Sequence, residues 1–570
     1  MRDFWLRIKN SFYFLNKKNF IIFLFLLFGG GIITKLYIIQ VKNNDYYKAL
    51  ATGQQISVKE ILPQRGDILF SDEIYPIAKT IQKVFIVIQP EKINNLEKFI
   101  NLLADISHES KEELSKNLSS KTFIKKEITI ENLKILLENN FSGWYPEYSF
   151  SRIYPENYLV GNITGFVNED GFGQYGIENY YNKLLAGQKI VLKEEKSPLN
   201  FSIFNLNTNE NNNRGKTLIL TVDKNIQYFA QKALEKAKDD FKIDSGEIIV
   251  ANPYTGEVLA NAVFPSFDPN KYKEVTNIEI FKNPSVSELF EPGSILKPIV
   301  MAAGLQEGKI TPDESYEDKG FVNLGGAPIY NFHKKVWGKR TMTEVLQNSI
   351  NTGAVYVEQK IGKEKFLEYL GKFGFFEKTE IDLQREEFSQ NFTLRNGKER
   401  DIACASFGQG IQINSFHIIQ SFSAIANGGK IVKPHFLKKI IYPNGKIEEN
   451  NPKIKREILS KEVCQNLTSM LINVVENGSG WRTKIKGYEI AGKTGTAQVP
   501  LPKGGYSDKE TIQSFIGYFP AFEPKIIIFI KLKNPKVETA EYSAVPIFKE
   551  LAQNLIDYLQ IPPNINFNLQ

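Results

Sequence analysis

Residues 20–39 read FIIFLFLLFGGGIITKLYII, an apolar run whose single charge, Lys35, sits near its end. About 20 such residues are needed to cross the hydrocarbon layer of a membrane. A cleaved secretion signal has a shorter apolar region and ends at a small-residue cleavage site. Here the run passes without one into Gln40-Val41-Lys42-Asn43-Asn44. An uncleaved transmembrane anchor over 20–40 is therefore expected. Residues 1–19 hold Arg2, Arg7, Lys9, Lys17 and Lys18 against Asp3 alone. By the positive-inside rule this tail stays in the cytoplasm, and the chain beyond about residue 41 lies outside. The expected location is the cytoplasmic (inner) membrane, with a single pass and one large extracytoplasmic region.

At 570 residues the chain exceeds one hydrophobic core, so two or three domains are expected. A hydrophobic content of 42% with 24% charged residues belongs to folded rather than disordered chains. The net charge of +7 is small for the length and partly concentrated in the head, which gives no support to nucleic-acid binding. Two cysteines, Cys404 and Cys464, form no Cys-x-x-Cys, and spacing leaves open whether they pair. The four histidines are scattered without zinc-ligand spacing, so no metal site and no cofactor are expected.

From 41 to 215 short β-like runs (84–88, 126–130) alternate with polar helical patterns (92–104, 108–117). Pro63–Leu69 reads as a turn into a strand. Gly171-Phe172-Gly173-Gln174-Tyr175-Gly176 spells a G-x-G-x-x-G pattern, but it follows Asn168-Glu169-Asp170 rather than an apolar strand. A dinucleotide site needs the βαβ context. The run is read instead as a glycine-rich turn into a helix over 177–186. Six asparagines between 205 and 213 mark a domain boundary. Beyond it come a strand (217–222), an amphipathic helix (224–237) and a hairpin (245–251 with 257–263). Strands over 488–498, 512–519 and 525–532 precede a closing helix over 543–559. Strands at both ends with helices between predict an α+β domain with an antiparallel sheet built from distant segments.

Glu291-Pro292-Gly293-Ser294-Ile295-Leu296-Lys297-Pro298 stands between these two groups of strands. Pro292 and Gly293 punctuate the chain, and an apolar run follows at once, which reads as a loop entering a buried helix at Ser294. Pro298 falls in the first turn, where a missing N–H costs little. Ser294 and Lys297 are three residues apart and share one helical face. A serine hydroxyl is a weak nucleophile until a base takes its proton, and a lysine serves once burial or a second cation lowers its pKa. Alone, Ser-x-x-Lys is more often a solvated helix face in a lysine-rich chain.

Two further motifs change that balance. Ser349-Ile350-Asn351 lies at a corner between helical stretches 341–347 and 353–361, and Lys493-Thr494-Gly495-Thr496 lies on an apparent strand, 489–499. With this trio, in this order, the chain resembles the class B penicillin-binding proteins, monofunctional peptidoglycan D,D-transpeptidases. The resemblance covers nearly the whole chain. Pro63-Gln64-Arg65-Gly66 and Gln174-Tyr175-Gly176-Ile177-Glu178 are similar to that family's structural pedestal motifs and imply an Arg65–Glu178 ion pair beside Gly66. Phe407-Gly408-Gln409-Gly410 and Ala424–Gly429 match its transpeptidase domain. Ser-Ile-Asn with Lys-Thr-Gly-Thr resembles the septal, FtsI-like type more than the elongation type.

The resemblance implies an elongated α+β pedestal over 41–215, a serine transpeptidase domain (penicillin-binding/β-lactamase-like) over 216–562 and a tail over 563–570. It also implies a role for each motif residue. Ser294 attacks the penultimate D-alanine carbonyl of a stem peptide, and Lys297, kept neutral by burial and by Lys493, accepts its proton. Ser349 relays a proton to the leaving amine, Lys493 tunes it, and Asn351 holds the substrate amide and orients Lys297. The backbone N–H groups of Ser294 and Thr496 form the oxyanion hole. Gly495 lets the substrate lie close as an added strand, and Thr494 and Thr496, with Lys493, hold the terminal carboxylate. Implied partners are stem peptides of lipid-linked nascent glycan, β-lactams, a SEDS-family glycosyltransferase and divisome proteins.

Four other readings compete. An elongation-type transpeptidase would run the same reaction but more often carries Ser-x-Asp and Lys-Ser-Gly. A D,D-carboxypeptidase or β-lactamase would hydrolyse the acyl-enzyme, but a class A β-lactamase lacks the pedestal and the anchor. A β-lactam sensor needs a cytoplasmic effector, and only 19 residues lie inside. A non-catalytic cell-wall scaffold has no need of Ser294, Lys297, Ser349, Asn351 and Lys493 together.

Overall fold

The computed structural model describes residues 17–44, 47, 56–61, 63–120, 123–188, 190–195, 213–501 and 505–565. Most of the basic head, the asparagine-rich stretch up to 212 and the last five residues of the tail lie outside them. The described chain forms two compact units, one of Met1–Pro63 with Gln188–Asn213, the other of Gln64–Gly187 with Arg214–Gln570.

The first unit contains the apolar helix Lys17–Tyr37, which continues through the π-helical turn Ile38–Lys42. As a candidate span it runs from Lys18 to Lys42, 25 residues with none of its most apolar window buried. At 1.5 Å per residue that is about 37 Å, enough for a membrane core of about 30 Å. Gly29, Gly30 and Gly31 interrupt the side-chain surface, and Thr34 Oγ1 donates to the Gly30 carbonyl at 2.7 Å. The helix fits a single-pass anchor. Ile56–Ile61 pairs antiparallel with Ile190–Glu195 in the same unit.

In the second unit one sheet has the order Val258–Phe264, Ser245–Ala251, Ile526–Lys533, Tyr506–Phe519, Ala491–Pro500, antiparallel throughout. Its central strand, Ile526–Lys533, is buried but for its last residue and serves two cores. Ile528, Ile530 and Leu532 face the helices Lys224–Phe241 and Ala544–Leu559, while Ile527 and Phe529 face the helical half of the unit. The two-residue period of a strand produces that division. Ala491–Pro500 ends the sheet, and its outer edge pairs with no described strand.

A second sheet runs Ile447–Glu449, Leu437–Ile441, Thr217–Leu220, Ile68–Leu69, Pro76–Ile88, Ile124–Ile128, with Trp144–Ile153 also on Pro76–Ile88. Thr217–Leu220, just beyond the asparagine-rich stretch, pairs parallel with Ile68–Leu69 and antiparallel with Leu437–Ile441. Side-chain caps move several element starts from where periodicity placed them. Asn95 accepts from Lys98 N–H at 3.1 Å and starts a helix at Leu96, not 92. Thr129 caps a helix from Ile130, which cuts the strand expected over 126–130 to Ile124–Ile128. His108, expected to begin a helix, ends the preceding one in a left-handed conformation, φ 57°. The helix expected over 177–186 breaks into Gly176–Tyr180 and Asn182–Leu185.

Around that break lies a buried ion cluster. Glu178 is 0% exposed, and its Oε2 accepts from Arg65 Nε at 2.7 Å. Its Oε1 accepts from Arg152 Nε at 2.8 Å and from the Tyr154 hydroxyl at 3.3 Å. Arg152 also donates to the Gly66 carbonyl at 2.8 Å. Burial alone would raise the Glu178 carboxyl, but Arg152 and Arg65 outweigh it and hold it below the usual carboxylate range. A Cβ on Gly66 would stand 1.9 Å from the Lys216 carbonyl oxygen, and one on Gly173 would stand 1.9 Å from that of Glu178. The glycine-rich run thus lets the backbone close on an ion cluster.

Glu358, on the helix Asn351–Ile361, is an opposite case. It is 3% exposed, and among the described residues its Oε2 has no hydrogen-bond partner. Burial, then the charge of Glu399, pushes its carboxyl up to about 7. An acid raised in the folded state destabilises only when ionised: the penalty is absent below its unfolded value of about 4.3 and complete above about 7. Glu358→Gln is expected to raise the melting temperature by about 2–4 °C near pH 8 and to leave it unchanged near pH 4. An equal shift at both pH values would assign the effect to packing.

Candidate active site

Backbone geometry builds the turn carrying Ser294. Gly293 has φ +59°, and Gly293–Leu296 makes a 3-10 turn that leads into the α-helix Lys297–Gln306. The Gly293 N–H donates to the Gly408 carbonyl at 3.1 Å, and Phe290 and Ile413 exchange backbone hydrogen bonds of 2.9 and 3.1 Å. A Cβ on Gly408, itself at φ +85°, would lie 2.0 Å from the Gly293 carbonyl oxygen. Only glycine allows that approach. Phe407–Gly410 is therefore a backrest for the Ser294 turn, a role its sequence did not disclose. Ile295 and Leu296 are fully buried and fix the turn, while Ser294 keeps partial exposure.

A second corner brings Ser349 and Asn351 to Lys297. The helix Met342–Gln347 starts at a reciprocal Thr341–Glu344 capping box and ends just before Ser349, which takes φ +54°. A serine holds that left-handed backbone only where its surroundings impose it. Both its carbonyl and its hydroxyl thereby face Lys297. The Lys297 Nζ, 0% exposed as a residue, donates to the Ser349 carbonyl and to Asn351 Oδ1 at 2.8 Å, and lies 3.1 Å from Ser349 Oγ. Asn351 Nδ2 donates to the Tyr330 carbonyl at 3.0 Å.

Behind this corner, Thr352 Oγ1 donates to Asp318 Oδ1 at 2.6 Å, and Asn331 Nδ2 donates to both Asp318 oxygens at 3.0 and 2.9 Å. All three residues are buried. No motif spacing linked them, because they meet only in the folded chain.

The third motif lies on the edge strand. Lys493 is 0% exposed, and its Nζ donates to Ser349 Oγ at 3.0 Å and to the Thr494 carbonyl at 3.0 Å. Thr494 Oγ1 lies 2.7 Å from Ser479 Oγ, a contact that sequence reasoning missed. Thr496 Oγ1 accepts from the Ala540 N–H at 3.3 Å. Gly495 is closely packed from within. A Cβ there would stand 2.6 Å from Ser514 Oγ and 2.8 Å from Ile295 Cγ1, so its lack of a side chain lets the Ser294 turn press against the strand.

Ser349 is thus the hub between two buried lysines. Burial, then the nearby Lys493 charge, drives the Lys297 amine well below the usual lysine range, and burial brings Lys493 down to about 7. Two ammonium groups sharing one serine in a dry site cannot both stay charged cheaply. The arrangement offers a neutral amine three residues after a part-exposed hydroxyl, which is what proton abstraction from a serine requires. The two cysteines are both free, which closes the pairing question left open above.

Comparison with known proteins adds three findings. Residues 246–553 match the profile of the penicillin binding protein transpeptidase domain, and residues 60–220 match that of the penicillin-binding protein dimerisation domain. Stage V sporulation protein D of Bacillus subtilis is 30% identical over 567 residues, covering 95% of this chain and 86% of that one. A probable peptidoglycan D,D-transpeptidase, PbpC of Pseudomonas aeruginosa, is 30% identical over 436 residues, 75% of this chain and 74% of its own. Among solved structures, penicillin binding protein 3 from Mycobacterium tuberculosis complexed with aztreonam is 25% identical and superimposes with a TM-score of 0.70 over 89% of this chain and 98% of that one.

Proposed function

The chain belongs to the class B penicillin-binding proteins, and from that premise we infer what its site does. It is a peptidoglycan D,D-transpeptidase. The observation that carries the residue assignment is the hub: Lys297 and Lys493 both lie within hydrogen-bond distance of Ser349 Oγ, at 3.1 and 3.0 Å.

The reaction begins when Lys297, neutral in its buried position, takes the Ser294 proton as Oγ attacks the penultimate D-alanine carbonyl of a stem peptide. Backbone N–H groups of Ser294 and Thr496 receive the developing oxyanion, typically about 3 kcal/mol per donor. Ser349 passes the proton to the departing D-alanine amine, with Lys493 holding its hydroxyl. Thr494, Thr496 and Lys493 take the terminal carboxylate, and Asn351 orients Lys297 and the substrate amide. An amine from a neighbouring stem peptide then attacks the acyl-Ser294 ester, forming the cross-link and freeing Oγ. A β-lactam enters as a mimic of the D-alanyl-D-alanine end and stays as a slow ester.

Ser349-Ile350-Asn351 and Lys493-Thr494-Gly495-Thr496 favour division-site work over elongation. The basic head supports an orientation with the catalytic unit outside the cytoplasmic membrane. A SEDS-family glycan polymerase beside the anchor would supply lipid-linked strands.

The test is acylation of the full-length protein in membranes by benzylpenicillin, with the adduct located by peptide mass spectrometry. A long-lived adduct on Ser294, absent from Ser294→Ala, is expected; an adduct elsewhere refutes the assignment. The rate also has a signature. It should rise with pH as Lys297 is freed of its proton, well below the usual lysine range, and fall above about 7 as Lys493 loses the charge that holds the carboxylate. A rate that climbs steadily to high pH would remove the Lys493 charge from the step.

A further inference from the structure

Residues 332–334 reach from one wall of the site to the other. Their stem is fixed: Asn331 is buried and donates to Asp318 and to the Lys335 carbonyl, and the Tyr330 carbonyl is held by Asn351. From this stem Phe332 stands 57% exposed, and the His333 side chain 66% exposed. His333 and Lys334 both adopt left-handed backbone, φ 53° and 55°. Non-glycine residues hold that backbone only where their surroundings impose it, here the fastened stem.

At the tip, His333 Nε2 meets Glu538 Oε1 at 3.1 Å. Glu538 comes from a segment fastened to the opposite wall. Gln513 Nε2 donates to the Val537 carbonyl at 2.7 Å, and the Ala540 N–H donates to Thr496 Oγ1 at 3.3 Å. One end of the His333–Glu538 contact is therefore anchored beside Asn351 and the other beside Thr496. Thr496 itself lies on Ala491–Pro500, whose outer edge pairs with no described strand, so an extended peptide can add there as a further strand.

We propose that the Phe332–His333 tip is a strap across the donor-peptide groove, which must part from Glu538 before an extended stem peptide can lie along the strand edge. The inference rests on the transpeptidase reading above and adds a determinant of substrate class. A compact β-lactam passes beneath a closed strap, whereas a peptide longer than the groove does not. The contact is suited to repeated opening: both side chains are about two-thirds exposed, and pairs in water hold weakly. The stem beneath the contact stays held by Asp318 through Asn331, so only the exposed tip has to move.

The experiment fastens the strap. His333→Cys with Glu538→Cys, in a chain carrying Cys404→Ser, is joined by a bis-maleimide with a reducible spacer, in the full-length protein. Two readouts are followed: acylation by benzylpenicillin, and turnover of a depsipeptide donor with a three-residue N-terminal extension, by chromatography. Closure should lower depsipeptide kcat/KM at least about tenfold while benzylpenicillin acylation stays within about twofold, with recovery on reduction. Glu538→Gln alone should raise depsipeptide kcat/KM about twofold or more. Equal loss with both substrates, or no loss with either, would overturn the strap while leaving the transpeptidase reading intact. Failure of benzylpenicillin to acylate the unmodified protein would overturn both.

Discussion

Replacing Lys297 with methionine is expected to slow acylation of Ser294 by about 10³–10⁴-fold, the upper range for a positioned general base. Methionine keeps the length and apolar stem of a side chain that is 0% exposed, so the fold should tolerate it. What disappears is the amine. In the native site that amine is held low by burial and by Lys493, and it is pinned against Asn351 Oδ1 at 2.8 Å. Stopped-flow acylation with a chromogenic cephalosporin measures the loss, with the melting temperature as the control for folding. A decrease of less than tenfold would move the base elsewhere, to Ser349 or to solvent.

A second large effect lies far from chemistry. Glu178→Ala is expected to destabilise the Gln64–Gly187/Arg214–Gln570 unit by about 3–5 kcal/mol, the usual result of leaving buried charges without their partner. Both Arg65 and Arg152 would lose their carboxylate, and their side chains are only 8% and 6% exposed. The native contribution follows pH in the direction of a depressed acid: present above the unfolded value of about 4.3 and fading as acid protonates Glu178. Denaturant unfolding of the mutant and parent near pH 7 measures the difference. A loss below about 1 kcal/mol would mean that water reaches both guanidinium groups.

The three motifs to which the chemistry is assigned were legible because each is constrained by its neighbours in sequence. Ser294 and Lys297 are tied by helical spacing, Lys493–Thr496 by a strand, and Ser349–Asn351 by a corner between helices. Their supports were not legible. Gly408 reaches Gly293, Asp318 reaches Thr352, and Arg152 reaches Glu178, each across a separation that no local period records. Element types came through better than their ends, since the ends are set by single side chains such as Asn95 and Thr129. Gly495 marks a further limit. Its lack of a side chain was visible, but which neighbour needed the room was not, and the answer was Ile295 and Ser514.

The order of strands in the catalytic sheet also sets a timetable for the newborn chain. Ser245–Ala251 and Val258–Phe264 can form a hairpin as soon as they emerge, yet the inner strand's second neighbour, Ile526–Lys533, begins 262 positions after Phe264. At about 5–20 residues per second, that neighbour follows some 13–50 s later. Throughout the interval a flat apolar edge stands open, the kind that pairs with other chains. Ser294 is made early in that interval and Lys493 late, so the proposed nucleophile waits for the strand that brings Lys493 to Ser349. A β-lactam can therefore react only with finished molecules, and a short pulse of labelled synthesis should yield chains that acquire the drug only after a lag of that length.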